Sequence, residues 1–266
     1  MTHLRMPRKR FSQHFLHDEN VINQIIDIIQ PLPNQTLVEI GPGQGALTRH
    51  LSGIAAAIHV IEIDRDLCGF LQELFSADKT LAIHCMDALD FNFQKQGLTN
   101  TRIIGNLPYN VSTPLLFHLL GQLEHIKDMI FMLQEEVVDR LQAEPGNKVY
   151  GRLSVMVQSQ CQVDKLMRIE PAAFNPIPRV NSGIVRLVPR TDREKNREIL
   201  QVFTTLVRES FNHRRKTLHN CLKHLMSDDA IRNAGIEPGT RAEQLSVAQF
   251  LALSQSAMEQ PWKGQK

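Results

Sequence analysis

Apolar positions gather in short runs over the first two-thirds of the chain: Thr36 to Ile40, Ala57 to Ile63, Leu81 to His84, Arg102 to Ile104 and Met129 to Leu133. Between them lie segments with helical spacing. Short β-branched runs without strict alternation are buried on both faces, as in a parallel sheet covered by helices. The pattern predicts an α/β domain. After Val163 it changes to two close strands, Val163 to Ile169 and Gly183 to Val188, joined by a loop carrying Pro171, Pro176 and Pro178. These are expected to form an antiparallel pair at the sheet edge. From Asp192 onward strands stop, and Ile199, Val202, Phe203, Leu206 and Val207 recur at helical spacing. The proline-bearing polar segment Pro189 to Arg193 sets the expected boundary between a domain over residues 1–190 and a small all-helical domain over residues 191–266.

Composition narrows the class. A chain of 266 residues with 42% apolar content can bury one large core and a small appended module. Its longest apolar stretches, Val111 to Leu120 among them, are far shorter than the about 20 residues a membrane span needs. The basic segment Met1 to Arg10 lacks the apolar core of an export signal, so a cytoplasmic location is expected. Cys68, Cys85, Cys161 and Cys221 have neither the spacing of a zinc site nor that of a redox pair, which predicts four reduced thiols and no metal. The net charge of +2 hides two basic patches, Arg5, Arg8, Lys9 and Arg10 at the start and Arg208, Arg214, Arg215, Lys216 and Lys223 near the end. Charge runs are usually solvated faces, so these gain meaning only if the chemistry points to a polyanion.

The first strand leads into Gly41-Pro42-Gly43-Gln44-Gly45-Ala46. Glycines there allow a tight turn and a close approach of ligand to backbone, with the amides of a helix N-terminus behind it. Gly41, Gly43 and Ala46 also fit a dinucleotide fingerprint, so a nicotinamide enzyme is an alternative, although no group near the loop stands out to direct hydride transfer. Glu62, 21 residues after Gly41, ends the second strand, where a carboxylate can accept from both hydroxyls of a ribose. Asp87 follows the third strand and can accept an adenine amino group. Ligands of open α/β sheets gather at the carboxyl ends of the strands, so these three positions predict a pocket for an adenosine-bearing cofactor.

The fourth strand ends in Ile103-Ile104-Gly105-Asn106-Leu107-Pro108-Tyr109. The N6 lone pair of adenine is delocalised into its ring, and acceptors that pull on the amine protons localise it. The Asn106 side-chain oxygen and the Pro108 carbonyl are candidate acceptors, while Tyr109 can stack on the purine. Proline stiffens this turn. No charged general base is required, because an amine that has accepted a methyl group from a sulfonium becomes acidic and sheds its proton. Positioning and electrostatics would carry most of the rate.

The chain resembles the ribosomal RNA adenine dimethyltransferase family of the KsgA type. Carrying the resemblance are Gln13-His14-Phe15-Leu16, the glycine loop, Val60-Ile61-Glu62-Ile63-Asp64, Gly105 to Tyr109, Phe174-Asn175-Pro176-Ile177-Pro178-Arg179-Val180, and Arg214-Arg215-Lys216-Thr217-Leu218. It implies a Rossmann-like class I methyltransferase domain with a helical C-terminal domain and S-adenosylmethionine as methyl donor. The implied substrate is two adjacent adenosines near the 3′ end of small-subunit ribosomal RNA, within the small ribosomal subunit. Cofactor contacts carry over to His14, Leu16, Gly41, Glu62, Asp87 and Asn106; at His14 relatives commonly have asparagine. Phe174 corresponds to an aromatic closing over the flipped adenine opposite Tyr109. Arg5, Arg8, Lys9, Arg10, Arg214, Arg215 and Lys216 become expected RNA contacts of a monomeric enzyme. A large-subunit or DNA adenine as target, and a non-catalytic role in subunit assembly, stay open at this point.

Overall fold

The computed structural model describes residues 14–108, 111–213 and 215–259. They form two compact units, one reaching to Val138 and resuming over Asp164–Pro189, the other comprising Asp139–Val163 and the residues from Arg190 onward.

Up to the sixth strand the order is β1 (Phe15–Leu16), α1 (Glu19–Ile29), β2 (Thr36–Ile40), α2 (Thr48–Leu51), β3 (Ala57–Glu62), α3 (Arg65–Leu74), β4 (Leu81–Cys85), β5 (Thr101–Asn106), α4 (Ser112–Leu120) and β6 (Ile126–Gln134). Then come α5 (Glu135–Gln142), α6 (Arg152–Gln160), β7 (Cys161–Ile169), β8 (Phe174–Asn175) and β9 (Ser182–Pro189). A seven-stranded sheet has the order β4-β3-β2-β5-β6-β9-β7, and β1 pairs with β8 in a small ribbon. Neighbours from β4 through β6 are parallel, and β9 runs antiparallel to β6. Burial on both faces explains the apolar runs: Leu37, Val38, Ile58, Val60, Ile103 and Ile104 are no more than 1% exposed. The chain proceeds outward from β2 to β4 and then returns to β5 on the other side of β2, so the strand order reverses between β2 and β5. That reversal opens a crevice at their carboxyl ends, beside Gly41 and Asn106. The two strands lie so close there that a Cβ on Gly105 would collide with the Ile40 carbonyl oxygen.

The helical unit adds α7 (Arg197–Phe211), α8 (Leu218–Leu222), α9 (Asp228–Asn233) and α10 (Val247–Met258). Asn196 caps α7, and Ser246 and Gln249 form a reciprocal cap on α10. Phe203, Leu206, Leu222, Ile231, Phe250 and Leu253 are fully buried. The expected boundary at residue 190 omits the segment 139–163, which the structure gives to this unit. The Tyr150 hydroxyl donates to the Leu245 carbonyl at 2.9 Å, and the Gly146 amide donates to that of Glu243 at 2.7 Å. Cys68 and Cys85 also depart from expectation. They are paired as a disulfide with Cα atoms 5.9 Å apart, because α3 and β4 bring together positions that sequence spacing leaves separate. Cys161 and Cys221 are free and buried.

Candidate active site

The crevice is lined by His14, Leu16, Gly41, Glu62, Asp87, Asn106 and Pro108, seven residues expected at a site from sequence, with Glu39, Ile63 and Met86 beside them. Gly41 and Gly43 have φ of 69° and 59°, the left-handed region that disfavours a side chain. A Cβ on Gly43 would lie 2.9 Å from the Phe15 ring, which packs over the turn. The turn thereby presents bare backbone to the crevice.

Glu62 is 5% exposed, and backbone amides fix its carboxylate: Asp64 N–H donates to Oε1 at 2.9 Å and Gly43 N–H to Oε2 at 3.3 Å. Burial raises its pKa, and these amides only partly oppose the rise. Glu39, on β2 itself, is 2% exposed and accepts the Thr48 hydroxyl at 2.6 Å. Desolvation pushes its pKa up to about 7, the Thr48 bond pulls the other way, and the Glu62 charge adds to the rise. Asp87 caps the short turn after β4 by accepting from Leu89 N–H at 2.9 Å through Oδ1. Ile63, 47% exposed, offers the crevice an apolar surface next to these acids.

Asn106 ends β5, and its side-chain amide donates to the His14 carbonyl at 3.1 Å. This assigns the amide orientation, since nitrogen must face that carbonyl, and turns the Asn106 oxygen toward the other side as an acceptor. The His14 ring Nδ1 hydrogen-bonds the Pro176 carbonyl at 2.7 Å, so the segment expected to touch the cofactor also ties β1 to the loop after β8. The Pro108 carbonyl accepts Val111 N–H at 3.1 Å, and among the described residues its second lone pair is left for another donor. Tyr109 lies outside the described residues, as do Arg5, Arg8, Lys9, Arg10 and Arg214. Arg215 and Lys216 are exposed in the helical unit.

Phe174 stands apart from the other expected residues in this structure. Its ring is 1% exposed, belongs to the apolar core with Leu16 and Ile169, and is not among the residues lining the crevice. Pairing of Leu16 with Phe174 across the β1/β8 ribbon turns it inward. The residues that sequence reasoning missed are Glu39, Ile63 and Met86. Glu39 is hidden by position, as an acid within an apolar strand run, whereas Ile63 is flanked by two acids and is legible in retrospect.

A doubly wound sheet with a glycine turn and two buried carboxylates at its switch point, bonded to no cation among the described residues, has the form of a Rossmann-like methyltransferase. The chain belongs to the ribosomal RNA adenine dimethylase family, whose model matches residues 5–259. It is 48% identical over 256 residues to the ribosomal RNA small subunit methyltransferase A of Pseudomonas fluorescens, covering 96% of this chain and 95% of that one. A dimethyladenosine transferase from Plasmodium falciparum has a similar structure, with TM-score 0.77 and 25% identity over 90% of this chain and 96% of its own. The 23S rRNA methyltransferase ErmE shares the fold at TM-score 0.70 and 23% identity, covering 92% of this chain and 99% of its own.

Proposed function

We propose that this protein dimethylates the N6 amines of two adjacent adenosines near the 3′ end of small-subunit ribosomal RNA, using S-adenosylmethionine. The observation that carries the reading is the orientation of Asn106. With its nitrogen committed to the His14 carbonyl, the side-chain oxygen accepts an N6 proton of the target base. The free lone pair of the Pro108 carbonyl accepts the other. Together they localise the nitrogen lone pair for attack.

The pocket suits the cofactor on chemical grounds. A nucleoside finds carboxylates at Glu62 and Asp87, an apolar surface at Ile63 and open backbone at Gly41 and Gly43, while a cationic group finds an acidic crevice. His14 and Leu16 also line it. When bound, S-adenosylmethionine supplies an electrophilic methyl group on a sulfonium. Asn106 and Pro108 aim the amine, and Tyr109 stacks on the purine. Arg215 and Lys216, with Arg214 and the N-terminal arginines and lysine, grip RNA phosphates. Action on ribosomal subunits places the protein in the cytoplasm. Among the described residues no helix is long and apolar enough to cross a membrane.

The test is methyl transfer from radiolabelled S-adenosylmethionine to small subunits lacking adenosine methylation, followed by nucleoside analysis. Dimethyladenosine from the wild type, with at least about hundredfold less from Asn106→Ala, is the expected result. Label appearing only on large-subunit RNA or on DNA would overturn the substrate assignment.

A further inference from the structure

At the carboxyl edge of the sheet, the strands from β4 to β2 carry the cofactor-binding positions and β5 carries the reacting one. The edge continues past Asn106 to β6, β9 and β7, and that half must face the substrate. Its most exposed large apolar side chain is Ile177, 68% accessible, with Val180 at 43% and the charged Arg179 between them in the same loop. Ile177 sits between Pro176 and Pro178, whose rings fix their own φ, and Pro178 is buried. Both ends of the loop are anchored. The Pro176 carbonyl is hydrogen-bonded by His14, and the Asn181 amide donates to the Glu135 carboxylate at 3.1 Å while its carbonyl accepts Glu135 N–H at 3.0 Å. Two hydrogen bonds, Asn106 to His14 and His14 to Pro176, connect the reacting position to the residue before Ile177. A stiff loop therefore holds an apolar side chain out in water beside the place where a base must be extruded.

Resting on the function proposed above, we propose that Ile177 is a wedge that fills the gap the target adenosine leaves when it flips out of its stack. Flipping exposes the faces of the neighbouring bases, and an inserted branched apolar side chain covers them. Val180 widens that contact, and Arg179 supplies a cation for an adjacent phosphate. Two apolar side chains match one stacking gap and fall well short of the area of a stable protein interface. The occupant is therefore RNA rather than another protein.

The test compares wild type, Ile177→Ala and Ile177→Leu on unmethylated small subunits, with S-adenosylmethionine affinity measured by calorimetry. The alanine variant should lower kcat/KM about tenfold or more with cofactor affinity unchanged, and the leucine variant should recover to within about threefold of wild type. A second measurement places a diazirine-bearing amino acid at position 177 and maps the crosslink on the particle, expected at a nucleotide next to the modified adenosines. Unchanged kcat/KM in Ile177→Ala, an equal loss of cofactor affinity, or a crosslink to ribosomal protein would each overturn the wedge. Absence of label with wild type would instead reject the function on which it rests, and the crosslink, needing no methyl transfer, would still decide what position 177 touches.

Discussion

Both ends of the sheet bury acids, but with opposite partners. Near the amino ends, Asp128 is 1% exposed and is gripped by two guanidiniums: Arg102 Nε donates to Oδ1 at 2.8 Å and Arg186 Nη2 to Oδ2 at 2.8 Å. Arg102 also donates to the Ile29 carbonyl at 2.6 Å, tying down the end of α1. At the carboxyl ends, Glu39 and Glu62 are held by a hydroxyl and backbone amides, with no cation among their bonds to the described residues. An acid matched by cations inside the protein is part of the scaffold. One buried without them carries a raised pKa and is available to a ligand.

The sharpest way to break this comparison is to remove the scaffold acid. Asp128→Ala leaves Arg102 buried and uncompensated, and should lose about 3–5 kcal/mol in urea unfolding. Replacing the pair together, Arg102→Met with Asp128→Leu, should lose less than the single change, because the buried Arg102 charge goes with its partner and the Arg186 guanidinium, 44% exposed, can still turn to water. Equal losses would mean that the network matters for packing rather than for charge.

Glu39 should behave in the opposite sense. Burial pushes its carboxyl from the ordinary 4.5 up to about 7. Between those values the folded chain binds a proton that the unfolded chain has released, so the stability present below the unfolded pKa is lost as pH rises toward 7. The loss is bounded at about 3 kcal/mol by the 1.36 kcal/mol that each pKa unit represents. Glu39→Gln keeps a partner for Thr48 and should flatten this part of the pH–stability curve. A curve that keeps its fall would show that Glu39 is ionised throughout.

For Glu62 the comparison predicts a separation of binding from folding. Glu62→Gln should weaken S-adenosylmethionine binding about tenfold by calorimetry, the scale of a charge-assisted hydrogen bond, while leaving stability unchanged or slightly raised. A large loss of stability with intact binding would place Glu62 with Asp128 as scaffold.

The sequence made the sheet legible because its strands are buried on both faces and read as plain apolar runs. Gly41, Glu62, Asp87 and Asn106 were legible because residue type, spacing and strand end coincided, and all four line the crevice. What stayed hidden depends on contacts between distant segments. Phe174 has the type of a stacking ring, but only its pairing with Leu16 shows that it faces the core. Segment 139–163 has no breaker at its start, and its assignment to the helical unit rests on bonds such as Tyr150 to Leu245. Cys68 and Cys85 meet only after α3 folds against β4.

The smallest expected effect concerns a half-buried titratable pair on the cofactor strands. His59 on β3 and His84 on β4 share one hydrogen bond, Nδ1 to Nε2 at 3.0 Å, with rings stacked 5.2 Å apart and Phe91 edge-on to His84. The shared bond needs one ring nitrogen as a bare acceptor, so at least one imidazole must be neutral. Desolvation lowers both pKa values, and the His84 charge lowers that of His59 further. With folded values below the unfolded 6.5, the folded chain binds fewer protons, so the stability is present above pH 6.5 and is lost as pH falls below it. Glu39 acts with the opposite sign over part of the same range, which would mask the histidines in the wild type. In a Glu39→Gln background, thermal unfolding between pH 7.5 and 5 should show the acid loss, and adding His84→Asn should make it shallower. An unchanged slope would show that the pair accepts a proton without losing its contact, and the acid-sensitive groups would then have to be sought elsewhere in the fold.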